Sequence, residues 1–262
     1  MSKRWWIGGT LLGGALALLF SAPAAWLAAA VNDATGQRLL LAEARGTVWR
    51  GSAVVVLTGG TGSRDASALP GRLEWVLGLD GLAFAVHLRQ ACCIQDDLTL
   101  RVRPGLGRLR IELPASPGSG RLIGQWPAAW LTGLGTPWNT LQPSGTLALS
   151  SNGLVAEAVQ GRWIFDGRAD LELRGMASSL STLDVLGSYR MSLQGDGRGE
   201  SAQLQLSTTD GALQLAGSGQ WAASRLRFNG QASAAPGSEA ALSNLLNIIG
   251  RRQGALSLIS IG

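Results

Sequence analysis

Hydrophobic and polar positions fall into three regimes along the chain. From Trp5 to Val31 no side chain carries a formal charge, and Lys3 and Arg4 stand directly in front of the run. At ~1.5 Å per residue a helix from Trp6 to Trp26 spans roughly 30 Å, the thickness of a bilayer's hydrocarbon core. The pattern predicts a membrane anchor over residues 1–31, with Lys3 and Arg4 on the cytoplasmic side and Trp5, Trp6 and Trp26 at the two headgroup levels. A cleaved signal peptide competes, since Ala22-Pro23-Ala24 and Ala28-Ala29-Ala30 offer small residues for cleavage. The apolar region of such a peptide is only ~7–15 residues, and this run is longer. Everything after Asn32 is then expected on the far side of the membrane.

Beyond Asn32 the period becomes two, which is the signature of half-buried strands. Gly46 to Leu57 reads as a first strand and is followed by a glycine-rich loop from Gly59 to Gly71. A two-residue turn at Asp80-Gly81 sets Leu79 opposite Leu82, Leu77 opposite Phe84, Trp75 opposite Val86 and Leu73 opposite Leu88. On the other side of the sheet it places Glu74 opposite His87, the single histidine, so a cross-strand pair explains that residue. Leu98 to Val102 and Leu109 to Leu113 alternate in the same way. After the helix described below, strands recur at Thr146–Ser150, Arg162–Phe165, Ala169–Arg174, Tyr189–Gln194, Ala202–Thr208, Ala212–Gly217 and Arg225–Phe228. The expected connections are a bulged three-residue turn at Asp166-Gly167-Arg168 and a two-residue turn at Asp210-Gly211, the latter setting Leu206 opposite Leu215.

The third regime is helical. Pro127 to Leu134, stopped by Gly135, carries Trp126, Trp130 and Leu134 at every fourth position, either as core or as a docking stripe for a partner. Leu242, Leu245, Leu246 and Ile249 stand at i, i+3, i+4 and i+7 between Ser238-Glu239 and Gly250. Pro, Gly and Ser from Pro114 to Gly120 mark a boundary. The expected organisation is the anchor at 1–31, a β-rich half at 32–114, a Pro/Gly boundary with a short helix at 115–145, and a second β-rich half at 146–262. The fold class is mainly β: an N-terminal transmembrane helix, then an antiparallel sheet region with two short helices.

Composition narrows the chemistry. Of 262 residues 46% are hydrophobic and 37 are glycine, and Lys3 is the only lysine behind a net charge of +5. The arginines are spread through strands rather than clustered, which argues against a nucleic-acid face. With one histidine, no metal-type Cys/His spacing, no GxSxG and no phosphate loop, no catalytic, cofactor or metal site is expected. Cys92 and Cys93 are adjacent, and two readings stay open: a strained vicinal disulfide, or two separate thiols.

Several runs together carry a resemblance. Gly46-Thr47-Val48-Trp49-Arg50-Gly51 behind an apolar leader is followed by Pro137-Trp138-Asn139-Thr140-Leu141 and Gly145-Thr146-Leu147. Then come Leu186-Gly187-Ser188-Tyr189-Arg190, Ser207-Thr208-Thr209-Asp210-Gly211-Ala212-Leu213, Gly217-Ser218-Gly219-Gln220-Trp221 and Leu245-Leu246-Asn247-Ile248-Ile249-Gly250-Arg251-Arg252. In this order they resemble the protein N family of the bacterial type II secretion (general secretory) pathway. The resemblance implies a single-pass inner-membrane protein of a Gram-negative cell, its sheet in the periplasm, working as a non-enzymatic accessory among other secretion components such as the inner-membrane platform or the secretin. The alternative from another class is a membrane-tethered β-groove that holds lipid, since antiparallel strands with an apolar face can curl around acyl chains.

Overall fold

One antiparallel sheet runs through the computed structural model, which describes residues 20–94, 96–115, 122–160, 162–197, 202–222 and 225–262. Its strands are β1 (Leu39–Gly46), β2 (Arg50–Thr58), β3 (Ala66–Ala68), β4 (Leu73–Asp80), β5 (Ala83–Arg89), β6 (Leu98–Gly105), β7 (Arg108–Ala115) and β8 (Gly124–Pro127). The series continues with β9 (Pro143–Val159), β10 (Arg162–Ser178), β11 (Gly187–Asp196), β12 (Ala202–Gly211), β13 (Leu213–Ala222), β14 (Arg225–Ala234), β15 (Arg251–Gln253) and β16 (Leu256–Ile261). The order is β1-β2-β4-β5-β6-β7-β9-β10-β11-β12-β13-β14-β16-β15, with β3 and β8 paired to β2 and β9 at the side. Nearly every strand therefore lies beside its sequence neighbour, as short connections favour. β7 pairs directly with β9, so the sheet passes without a break from the strands before Ala115 to those after Pro143.

Among the described residues the named helices are α1 (Ala24–Ala34), a 3-10 helix (Ala128–Leu134), α2 (Trp138–Leu141) and α3 (Glu239–Ile249). α3 starts after Ser238 and stops at Gly250, and it buries Leu242, Leu245 and Leu246 as the heptad-like spacing predicts. Among the described residues no helix is long and apolar enough to cross a membrane. Lys3, Arg4, Trp5 and Trp6 lie outside the described residues, and Trp26 belongs to α1.

Strand register separates the two faces of the sheet. One row crosses six strands as Leu79, Phe84, Val102, Ile111, Ala156 and Phe165. A parallel row crosses five as Leu149, Leu171, Met191, Leu206 and Gly217. The face is apolar from one end to the other, and three pieces of the chain cover parts of it. α3 packs on Leu147, Met176, Tyr189, Leu213 and Ala232. Ala24 of α1 packs with Ala53 and Trp75, and Trp126 and Trp130 pack around Val55, Leu69 and Cys93.

Three expected connections are corrected. The β4–β5 turn is Gly81-Leu82, one residue further on than Asp80-Gly81, so Trp75 faces Leu88, and Leu79 faces Phe84. Gly81 has φ +63°, whereas Leu82 stays at negative φ, which suits glycine in the first central position of a tight hairpin. His87 therefore faces Val76 instead of Glu74, and its Nδ1 lies 2.9 Å from the Thr99 hydroxyl, while Glu74 faces Arg89. At β12–β13 Leu206 faces Gly217 rather than Leu215, and Thr208 bonds Leu215. Asp166-Gly167-Arg168 is not a turn at all: β9 and β10 continue to Val159 and Arg162, and the glycine, at φ +92°, sits beside a bulge.

Candidate interaction surfaces

Each surface is set by the period-two alternation, which sends successive side chains to opposite sides. The side away from α3 is predominantly polar from β6 to β14. Arg168, Gln194, Gln203, Gln220 and Arg227 stand in one row across five strands, and Asp170, Ser192, Gln205, Ser218, Asn229 and Ser260 form the next. All of these except Asp170 and Ser260 line an open groove of about 460 Å3. Arg168 pairs with Asp170 at 2.9 Å, and Ser192 donates to the same carboxylate. Glu172 lies between Arg174 at 2.6 Å and Arg190 at 2.9 Å.

Those carboxylates titrate low. Burial pushes the Asp170 carboxyl up, but hydrogen bonds from Arg168 and Ser192 outweigh it and hold the pKa below the ordinary value. Hydrogen bonds from Arg174 and Arg190 hold Glu172 low as well. A depressed carboxylate stabilises the fold above its unfolded pKa and loses that contribution as pH falls through the folded value. The urea midpoint is expected to drop as pH falls from about 5 toward about 2, with a shallower drop in the double variant Asp170→Asn, Glu172→Gln. An unchanged slope in that variant would remove these two groups from the acid response.

The apolar side is only partly covered. Phe84, Val102, Ile111, Ala156 and Phe165 are half-buried and Leu79 is exposed, so a strip remains open along the row they form. Aromatic rings gather along it: Trp49 and Phe84 have centroids 6.4 Å apart, and Phe165 lies 6.3 Å from Trp163 and 6.1 Å from Trp221.

The residues singled out from the sequence sit as follows. Trp126 belongs to β8, whereas Trp130 and Leu134 belong to the 3-10 helix. At three residues per turn an i, i+4 pair diverges by about a third of a turn, so the three do not form a helical stripe. Trp126 and Trp130 are half-buried against the Val55 cluster. Cys92 and Cys93 are bridged, with Cα atoms 3.7 Å apart; Cys93 is buried and Cys92 exposed. Trp26 projects to solvent from α1. Among the described residues no group of three His, Cys, Asp or Glu is placed to hold a metal ion.

The glutamine rows and the open aromatic strip were missed in the sequence. Their signal was present in the polar half of each alternating segment, as in Gln203 and Gln205, but the rows exist only once four or five strands are aligned.

A family model described as type II secretion system (T2SS), protein N, matches residues 37–258. Neither a search of curated proteins nor one of solved structures found a match. The matched region begins just before β1 and ends within β16, so it covers the sheet essentially whole. The chain belongs to the type II secretion system protein N family.

Proposed function

We propose that the chain is an accessory, non-enzymatic scaffold of the type II secretion system, held in the inner membrane of a Gram-negative cell by its apolar leader with the sheet in the periplasm. The observation that carries this reading is the family match over residues 37–258, since membership gives the chain a role in type II secretion. Within the sheet, 32–114 and 146–262 act as two β-rich parts, and 115–145 supplies β8 and the 3-10 helix, whose Trp130 packs with Val55 and whose Ala128 packs with Leu147. The backbone of Ala22 and Pro23 is tied to Val48 and Thr47, so on this reading the crossing segment runs from Trp5 and ends before Ala22. At helical rise it reaches about 25 Å, near the lower limit for crossing. Affinity for platform or secretin partners would come from the Trp126, Trp130 and Leu134 region and from the open sheet surfaces. Purification of the full chain from membranes in mild detergent is expected to bring other secretion components with it, and its deletion is expected to reduce export. Recovery of the chain alone together with normal export would end the proposal.

One observation favours a second reading, in which the protein handles lipid: the uncovered strip through Phe84, Ile111 and Phe165 has the apolar character an acyl chain requires. A photo-crosslinker placed at Ile111 in cells is expected to capture lipid on this reading. Capture of protein alone favours the scaffold.

A further inference from the structure

The turns at one end of the strands form a rim with a character of its own. The Gly81-Leu82 turn, the Leu106-Gly107 turn and Gln160 lie there, with Gln160 N–H donating to Gly107 O at 3.1 Å. The β1–β2 connection reaches the same end, because Leu77 N–H donates to Trp49 O at 2.7 Å and Trp49 contacts Phe84. Tight turns normally carry Gly, Asn or Asp, and a leucine at such a tip buries nothing in the folded chain. Here Leu82 and Leu106 are 98% and 104% exposed, the two most exposed large hydrophobics among the described residues. Arg50, Arg108 and Arg162 open β2, β7 and β10 at this end, and their side chains have no hydrogen bond or ion pair among the described residues.

A second observation is independent of the tips. Val48 N–H donates to Ala22 O at 2.8 Å and Pro23 bridges to Thr47, so the apolar leader enters the structure at this same rim. Phe20 is 70% exposed there, and Trp26 is exposed in the first turn of α1. Apolar tips within a collar of unpaired arginines suit an interface that is oily below and anionic above, with indole rings at headgroup depth.

We propose that this rim rests on an anionic bilayer surface, with Leu82 and Leu106 inserted at the boundary between headgroups and acyl chains and Arg50, Arg108 and Arg162 against lipid phosphates. The inference deepens the anchor reading and rests on it for which membrane is met. It also orients the sheet, setting the strands upright on the membrane, so that the open strip, which crosses them, runs along the lipid surface a few residues above the tips.

The test uses the full chain reconstituted in vesicles of phosphatidylethanolamine and phosphatidylglycerol. Leu82→Cys, Leu106→Cys and, at the opposite end of the strands, Ser179→Cys are each labelled with an environment-sensitive fluorophore, the native cysteines being bridged. A nitroxide near the top of the acyl chain is expected to quench labels 82 and 106 several-fold more than label 179. The difference is expected to shrink in phosphatidylcholine vesicles and in the double variant Arg108→Glu, Arg162→Glu. Equal quenching at all three positions overturns the proposal. An alkaline carbonate wash separates the two ideas: release of the chain ends the anchor reading, while quenching at the tips still decides the rim.

Discussion

Replacing Leu242 by alanine is expected to lower the unfolding free energy by about 3 kcal/mol, within the roughly 2–5 kcal/mol range for deleting a fully buried leucine. Leu242 has no exposed surface, and Leu245 and Leu246 beside it are almost as enclosed. Together they close the sheet over Met176, Leu186, Tyr189, Leu213 and Ala232. The cavity left by truncation has little chance of collapsing, because the opposing wall is a hydrogen-bonded ladder that cannot shift one strand without its neighbours. Urea unfolding followed by circular dichroism measures the change. Ile248→Ala, on the exposed side of the same helix, is the control and is expected to stay within about 0.5 kcal/mol. Similar small losses at both positions would mean that α3 does not hold this half of the sheet.

The second large effect is expected at Trp75, where alanine should cost about 3–5 kcal/mol. The ring is 2% exposed and packs with Ala24 and Ala53, and its Nε1–H donates to the Val48 carbonyl at 3.0 Å. Gly51 faces it across the ladder and leaves the space: a Cβ there would lie 2.5 Å from the indole. Trp75 thus connects the sheet to the Thr47–Val48 backbone, which in turn holds Ala22 and Pro23. Trp75→Ala is expected to speed amide exchange through α1 and expose the Thr35–Gln37 connection to protease, while the amides of β11–β14 stay protected. Trp75→Phe keeps most of the apolar contact but leaves the Val48 carbonyl without its donor, at a cost of about 1–3 kcal/mol. If α1 exchanges at the same rate in wild type and Trp75→Ala, the coupling is absent.

Which features were legible in the sequence follows from their range. The Leu242, Leu245, Leu246 and Ile249 spacing lies within three turns of one segment, and α3 appears with the expected limits and buried face. Most alternating segments lie in strands, but β1, β3, β8 and β15 carry no such mark, residues 47–49 lead into β2 as a connection, and Arg162–Phe165 and Ala169–Arg174 join in one strand, β10. The turns were displaced because Asp-Gly can sit at more than one place in a hairpin, and only the whole ladder decides. At β4–β5 the displacement moves each pairing by two positions, which leaves every side chain on its own face. The face was therefore readable when the partner was not. For the candidate surfaces, Trp126 and Trp130 stood out as aromatic, but their placement in β8 and a 3-10 helix depended on contacts with Val55 and Leu69.

By itself the sequence determined the β class, the two-sidedness of each strand, the C-terminal helix and, through its runs of matching residues, the family. These are properties of local period and local composition, which each segment carries wherever it is placed. Only the tertiary structure decided the strand partners, the union of β7 with β9, the docking of Ala24–Ala34 on the sheet, and the gathering of Leu82, Leu106 and the leader at one rim. An alanine-rich apolar helix suits lipid or a sheet equally well, and a turn residue does not encode which distant turn lies beside it. Those choices are made by hydrogen bonds and packing between segments far apart in the chain.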